Sequence, residues 1–534
     1  MEQNIQDFIR NHVSLITPKF KEICETYFIA TNSGKDEDYR KYADLEIEFE
    51  KIYTDKESFE RIKEFKNIEI KDPLLKRQVE YLFDQFQSKQ INEDKLRFVI
   101  ELQNKIESNF STFRAEIDWE KYTDNQIEEI LSNSNDNEKV KKARLASKKI
   151  WKEVAEDVIQ IVKKRNEIAE ELWYDNYHTM SLTLSEQNPD EISKVFKELD
   201  TLTRESFIKE KEDIDEYLSK KFWISKSDLM PRHYQNRYFQ EAPKIYEINI
   251  DKYYENQDIV EISKKYYNSL WLDVDSILKV SDLYEREGKY QHAYCMSDKS
   301  GTVRILCNIK PNEKRMWTQL HELWHAVYDK YLDPETPYIL YEPAHTFTTE
   351  AIAMMFGRFA ANAQWIQDMI WISDEEKNQI ADSCFSTIRL EQLITSRWMQ
   401  VMYHFEKNMY ADPDQDLNSL RRSLVEKYQM MKKPEWRNEP DRASKIHISC
   451  YPCYYHNYML GEVLASQIYY HIVEKVIKSS EYKFQSFYNK PEVGNYLKEK
   501  IFEAGAKYHW NTMIQSATWE KLTAKYYAKQ FVNI

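Results

Sequence analysis

The sequence predicts a mostly helical protein that carries one small β element. Its 534 residues include only 7 Gly and 14 Pro, whereas proteins rich in sheets and turns need more of both. Apolar residues recur at spacings of three and four through much of the chain, as they do in helices packed on one side. A chain of this length can also bury a large core or form two lobes.

The first 185 residues predict a succession of charged amphipathic helices. LLKRQVEYLFDQF (74–86) and KKIWKEVAEDVIQIVKK (148–164) show the pattern. A helix break is predicted at Asn188-Pro189, because proline suits the first position of a new helix. Irregular segments are predicted at 229–245, 332–344, 411–417 and 432–443.

One segment differs in kind from the helical pattern. TVRILCNI (302–309) is apolar and rich in β-branched residues, and turn residues precede and follow it. Such a run predicts a short strand. A strand at this place could offer its edge to an extended peptide.

Charge and composition argue against several classes of function. The net charge is −14, so a nucleic-acid partner is disfavoured, because phosphate backbones attract basic surfaces. No apolar run reaches the ~18 residues of a membrane span, and MEQNIQDFIRNHV at the start lacks the apolar stretch of a secretory signal. We therefore expect a cytoplasmic protein with no membrane partner. Six cysteines, including Cys450 and Cys453 in a CxxC, indicate incidental thiols rather than a disulfide framework.

The motif that carries chemistry is HExxH at 321–325, within WTQLHELWHAVYDKYL. Residues four apart share one face of a helix, so His321 and His325 can bind the same metal ion. Glu322 lies between them, where its carboxylate can take a proton from a water on zinc. The motif predicts one Zn²⁺ per chain, with Glu322 as the general base.

The site needs a third protein ligand, and the sequence offers Glu350 within FTTEAIAMMFGRFA. This run predicts a second buried helix, where a carboxylate is costly unless it is paired or bound to a metal. The spacings of two other zinc-peptidase classes are not met, since Tyr331 and Ala344 stand where histidine and glutamate would be required. Glu342 and His345, in the connecting segment, are rival third ligands.

HExxH followed by a helical glutamate at this distance resembles the superfamily of thimet oligopeptidase, oligoendopeptidase F and angiotensin-converting enzyme. Two further stretches agree, GKYQHAYCMSDKSGTVRILCNI (288–309) ahead of the motif and KIHISCYPCYYHNYMLGEV (445–463) after it. The three blocks follow the family order. The resemblance implies two helical lobes around a deep substrate channel, and a peptidase that cuts short, unfolded peptides.

The resemblance also implies roles for the second of these stretches. Tyr458, with Tyr455 behind it, matches tyrosines that donate hydrogen bonds to the oxyanion of the tetrahedral intermediate. His447 matches a histidine that steadies the substrate or transition state beside them. Tyr454 is an alternative to Tyr458, because it also follows His447 at a spacing found in converting enzymes.

Two residues are implied to bind substrate, and one position departs from the family. Lys445 stands where converting enzymes hold the terminal carboxylate of the substrate, and His292 resembles their backbone-gripping histidine. The family usually has glycine at the fourth position of HExxH, where this chain has Trp324. A tryptophan there would narrow the cleft or require a smaller packing partner, without reaching the metal.

The sequence therefore predicts a zinc metallopeptidase of the oligoendopeptidase or peptidyl-dipeptidase type, acting on short oligopeptides. A dipeptidyl carboxypeptidase or carboxypeptidase of the same superfamily is one alternative, and a catalytically silent, zinc-bound peptide-binding protein is another. We expect one peptidase unit over 1–534. It comprises an N-terminal helical region at 1–185, which is a candidate lid or lobe, and a catalytic region at 186–534. No pattern in the sequence predicts the oligomeric state.

Overall fold

The computed structural model describes residues 2–246, 248–434 and 437–532. The fold is mostly helical, as predicted, with two small antiparallel sheets. The chain divides into two compact units, and the region predicted at 1–185 contributes to both. Unit 1 comprises Met1–Gln90, Ile248–Phe385 and Leu460–Gln530, and unit 2 comprises Ile91–Glu247, Ser386–Met459 and Phe531–Ile534.

The elements follow one another in five stretches of chain. The first stretch, in unit 1, contains α1 (Glu2–Ser33), α2 (Asp36–Tyr53), α3 (Lys56–Lys66) and α4 (Pro73–Ser88). The second, in unit 2, contains α5 (Glu93–Thr112), β1 (Ala115–Ile117), β2 (Glu120–Tyr122), α6 (Asp124–Asn133), α7 (Asn137–Lys148), α8 (Trp151–Glu171), α9 (Tyr177–Leu184) and α10 (Pro189–Phe222). The third, in unit 1, contains α11 (Ile259–Ser269), α12 (Asp275–Val280), β3 (Tyr294–Ser297), β4 (Val303–Leu306), α13 (Glu313–Lys330), α14 (Thr346–Gly357), α15 (Ala363–Ile370) and the start of α16 (Asp374–Ala411). The fourth, in unit 2, contains the rest of α16, then α17 (Leu417–Gln429), α18 (His447–Cys450) and the first residues of α19 (His456–His471). The fifth, chiefly in unit 1, contains the rest of α19, then α20 (Pro491–Leu497), α21 (Trp510–Thr518) and α22 (Lys525–Phe531).

The predicted helix start at Asn188-Pro189 is confirmed. The Asn188 side chain accepts hydrogen bonds from the backbone N–H groups of Asp190 and Glu191, and Pro189 occupies the first turn of α10. An asparagine cap satisfies donors that the helix leaves open, and proline at this position loses no hydrogen bond. Local sequence therefore sets where the longest helix of unit 2 begins.

The strand predicted at 302–309 forms as β4, and its partner is β3. Tyr294 lies opposite Leu306, and Ser297 lies opposite Val303, in an antiparallel pair. The segment of β3, Tyr-Cys-Met-Ser, has no β-branched residue and no alternation, so no sequence pattern indicated it. A second hairpin, β1 with β2, was not predicted either, because each of its strands has only three residues.

Each unit has an apolar core of its own. In unit 1, residues of α1, α3 and α4 form a cluster with Ile339, Leu340 and Ala506. In unit 2, residues of α6, α7 and α10 form a second cluster that also includes Leu390 and Ile394 of α16. Within the described ranges, no helix is both long enough and apolar enough to cross a bilayer.

Candidate active site

Helix α13 carries the HExxH motif in unit 1. Its N-terminus is capped by Asn312, whose side chain accepts a hydrogen bond from the backbone N–H of Arg315 at 2.9 Å. The hairpin of β3 and β4 packs against this helix, as does α14. Only 9% of His321 and 8% of Glu322 is exposed, so the motif lies in an interior where charges need partners.

Helix α14 carries Glu350 and begins at a cap made by His345, whose ring nitrogen accepts from the backbone N–H of Phe347 at 3.2 Å. At the other end of α14, a Cβ on Gly357 would lie 3.0 Å from Trp317 Nε1. Glycine therefore permits a close approach that a side chain would obstruct. The Trp317 ring in turn stacks on His321, with centroids 4.7 Å apart.

The two helices bring three candidate metal ligands together. His321 Nε2 lies 3.1 Å from His325 Nε2, and Glu350 Oε2 lies 3.6 Å from the first and 4.0 Å from the second. A tetrahedral zinc with ligand bonds of about 2.0–2.2 Å separates its ligand atoms by roughly 3.3–3.6 Å. The donor set therefore fits one zinc ion with small adjustments. Among the described residues, no other set of three His, Cys, Asp or Glu groups so closely.

The two rival third ligands are engaged elsewhere in unit 1. The Glu342 carboxylate accepts a hydrogen bond from Lys299 at 2.7 Å and another from the Tyr81 hydroxyl. His345 caps α14 with the ring nitrogen described above. The geometry thus favours Glu350, as the sequence did.

The sequence profile of peptidase family M3 matches residues 131–533. The chain belongs to peptidase family M3. The match includes both the HExxH helix and the 445–463 stretch, and it identifies the chain as a metallopeptidase. No curated protein shows significant similarity to the chain.

Burial sets the protonation of the candidate ligands in this M3 peptidase. It lowers the pKa of His321 well below its usual range, with a further decrease from His325, and it lowers the pKa of His325 to about 4. Both imidazoles are therefore neutral at pH 7, which is the form that binds metals. Burial also raises the pKa of Glu350 to about 7, with an added effect of Glu462. A divalent cation beside Glu350 would favour its ionised form.

Glu322, the general-base candidate of the M3 peptidase, has a carboxyl group whose pKa lies far above its usual value. Burial raises the pKa of Glu322 to about 8, and the nearby Glu350 carboxylate adds to the increase. A buried carboxylate with a raised pKa is a stronger base than one in water, and a pKa near the working pH suits proton transfer.

Two residues that act on the candidate ligands without belonging to the set, Thr349 and Glu462, were not predicted from the sequence. Thr349 Oγ1 lies 2.7 Å from His325 Nδ1, so the ring can donate through Nδ1 while Nε2 faces the other ligands. Glu462, whose charge affects Glu350, forms an ion pair with Arg358. Thr349 immediately precedes the ligand Glu350, but no spacing rule marks a hydroxyl there as functional.

The departure at Trp324 is accommodated by the interior of unit 1. The ring is fully buried and stacks on Phe356 with centroids 3.7 Å apart, and it also contacts Tyr267 and Phe502. Its Nε1 has no hydrogen-bond partner among the described residues. The side chain thus packs between α13 and α14.

The predicted histidine and tyrosines of the 445–463 stretch form one cluster in unit 2. The ring of His447 meets the edge of Tyr455 at 4.9 Å, and Tyr458 contacts both Tyr455 (5.5 Å) and Tyr454 (5.3 Å). The Tyr455 hydroxyl accepts a hydrogen bond from Trp398 Nε1 at 3.0 Å. Burial lowers the pKa of His447 to about 4, and Lys445 contributes to the decrease.

The two residues implied to bind substrate have different surroundings. Lys445, in unit 2, donates a hydrogen bond to Gln240 Oε1 at 2.8 Å, and burial lowers the pKa of its amine to about 8. His292, in unit 1, is exposed and lies beside the Tyr290 ring at 5.3 Å.

Proposed function

We propose that this M3 peptidase hydrolyses short oligopeptides and uses one Zn²⁺ held by His321, His325 and Glu350. The observation that carries the proposal is the convergence of three ligand atoms within 4.8 Å of one another on α13 and α14. The spacing matches a tetrahedral zinc site. The acidic side chain next to the first ligand, Glu322, supplies the base that hydrolysis needs.

One residue of the chain, Glu322, carries out both proton transfers. Zinc, when bound, would lower the pKa of a water molecule and polarise the scissile carbonyl. Glu322 takes the proton that the attacking water loses. It then passes a proton to the leaving amine as the C–N bond breaks, so the carboxylate is regenerated. The raised pKa of Glu322 makes its carboxylate, once ionised, a stronger acceptor for that proton.

We assign the oxyanion donors to Tyr458 and His447, on the strength of the family resemblance of 445–463. A neutral donor completes the stabilisation of the developing negative charge. The lowered pKa of His447 keeps its ring neutral at pH 7 and supports this role. Burial raises the pKa of Tyr455 to about 12, so this hydroxyl keeps its proton and can support Tyr458 from behind.

A peptidyl-dipeptidase, which releases C-terminal dipeptides, is the second candidate. The observation in its favour is Lys445, whose amine lies over the rings of Tyr238, Trp398 and Tyr455 and donates to the neutral Gln240. A carboxylate at the end of a peptide would supply a charged partner for this ammonium. An endopeptidase has no need of such a contact.

Cleavage of a defined peptide pool by zinc-loaded protein tests the proposal. Cleavage should stop on addition of a chelator and return with zinc, and mass spectrometry of the products should distinguish internal cuts from C-terminal dipeptide release. Glu322→Gln should still bind zinc while cleavage falls by orders of magnitude. Glu335→Gln, at an exposed position, is the matched control and should cleave normally. Cleavage that persists in Glu322→Gln, or that no chelator affects, would refute the mechanism.

A further inference from the structure

Six of the 12 tryptophans in the described ranges have a left-handed backbone conformation. Few residues other than glycine adopt it, and bulky ones do so least often. The six are Trp119 (φ 72°), Trp173 (65°), Trp223 (51°), Trp271 (59°), Trp371 (63°) and Trp519 (67°). Sixteen non-glycine residues in the described ranges have positive φ, and tryptophan supplies six of them, whereas no other residue type supplies more than two.

Five of the six end helices in the manner of glycine. They follow α8, α10, α11, α15 and α21 in turn. After α8, α10 and α11, the next backbone N–H bonds a carbonyl five residues back, as Tyr174 to Ala169 (2.9 Å), Ile224 to Ser219 (3.1 Å) and Leu272 to Tyr267 (3.1 Å). After α15 and α21, the tryptophan N–H itself bonds a carbonyl four residues back, on Gln367 and Gln515, at 2.9 Å. Both patterns place a left-handed residue after the helix, and that residue is usually glycine.

The sixth tryptophan lies in the two-residue turn of a hairpin. Ile117 of β1 pairs with Glu120 of β2, so Asp118 and Trp119 form the turn between them. Both have positive φ, 51° and 72°. Turns of this type need two left-handed residues, and Asp-Gly is one of their preferred pairs.

The side chains of these tryptophans lie mostly in solvent, although the Trp519 ring contacts His471 (4.9 Å) and the Lys265 ammonium lies over the Trp371 ring (4.1 Å). The six rings are 65–95% exposed, whereas Trp365, Trp398 and Trp510 are at most 1% exposed. Tryptophan normally contributes a large buried area, and these six expose their rings at left-handed positions. Glycine is scarce at the same time, since the chain has 7 in 534 residues against a usual share of about 7%.

We infer that these six positions are glycine in the protein as its own cells make it. Glycine and tryptophan can be exchanged at a position when its codon is read as tryptophan under one genetic code and as glycine under another. UGA is such a codon, while UGG encodes tryptophan in both. How the codons at these six positions are read does not depend on the proposed function.

Two measurements test the inference directly. In the gene, all six positions should carry UGA, and the buried Trp365, Trp398 and Trp510 should carry UGG. In protein purified from its native cells, mass spectrometry of proteolytic peptides should find glycine at the six positions and tryptophan at the three buried ones. UGG codons at the six positions, or peptides that contain tryptophan there, would overturn the inference. The latter result would make the exposed rings genuine and would favour a docking role for them.

A recombinant comparison adds a physical readout. A variant with Trp→Gly at all six positions should unfold at a higher temperature than the protein that carries tryptophan there. Glycine removes the strain of a side chain at a left-handed position, and no buried ring is lost. Trp365→Gly is the matched control and should unfold at a lower temperature, because its ring is fully buried. A lower midpoint in the six-fold variant would contradict the inference.

Discussion

Thr349→Ala should weaken zinc binding although Thr349 is not a ligand. Its hydroxyl lies 2.7 Å from His325 Nδ1, where it fixes the tautomer that leaves Nε2 for the metal. Loss of such a partner typically costs about 10–100-fold in metal affinity, which corresponds to about 1.4–2.7 kcal/mol. The range agrees with the ~1–3 kcal/mol cost of leaving one buried polar group without its hydrogen bond.

Competition with a chromophoric chelator measures this effect as an apparent dissociation constant for zinc. Thr349→Ser keeps the hydroxyl and should bind zinc about as tightly as the parent, while Thr346→Ala, at an exposed position three residues earlier, should have no effect. Thermal unfolding of the zinc-free variants shows whether the fold has changed. Parent-like affinity in Thr349→Ala, or equal weakening by alanine and serine, would refute the role of the hydroxyl.

Three further predictions concern unit 2. Tyr458→Phe should lower kcat about 10²–10³-fold with zinc retained, as for the loss of one oxyanion donor. Tyr454→Phe should leave kcat unchanged. A fall in kcat in Tyr454→Phe but not in Tyr458→Phe, measured by steady-state kinetics, would exchange the two assignments. Because the pKa of Lys445 is about 8, its ammonium is lost as pH rises through 8, so KM for free-acid peptides should rise there while KM for amidated peptides stays constant. Lys445→Ala should remove the difference between the two peptide types, and a constant KM ratio across that pH would contradict the carboxylate contact. Burial raises the pKa of Glu406 from 4.5 to about 8, so the folded state holds a proton that the unfolded state releases between these values, and stability falls as pH rises through that window. Urea unfolding at several pH values should show that the free energy of unfolding falls less with pH in Glu406→Gln than in the parent. In the exposed control Glu426→Gln it should fall as in the parent. Equal dependence of this free energy on pH in the two variants would refute the effect.

The six exposed tryptophans bear on the one departure from the family motif. Trp324 occupies the position where the family usually has glycine, and its ring stacks on Phe356 at 3.7 Å, closer than the ~4.5–7 Å that aromatic pairs prefer. Its Nε1 is buried without a hydrogen bond among the described residues. The same codon at 324 as at the six positions would make the native motif His-Glu-Leu-Gly-His, with the glycine that the family usually has there.

Several parts of the candidate site were predicted from local sequence. The helical repeat places His321 and His325 on one face, and Glu322 beside them, whatever the rest of the chain does. The apolar run around Glu350 marked that carboxylate as costly without a partner. Helix starts such as Asn188-Pro189 were also predictable, because capping depends on residues three or four positions apart.

Other features depend on contacts that no local pattern contains. The approach of Glu350 to the two histidines depends on the packing of α13 on α14, and Lys299, the partner of Glu342, lies far from it in the chain. The Thr349 contact with His325 joins residues on different helices.

The sequence by itself therefore determined the helical class and the placement of His321, Glu322 and His325 together on one helix, because both follow from helical periodicity. Only the tertiary structure decided the partners of Glu342, the contact of Thr349 with His325 and the left-handed positions of the tryptophans. The physical reason is that helix-to-helix distances depend on side-chain packing between segments far apart in the chain, and that the hand of a backbone residue is set by the hydrogen bonds that close around it.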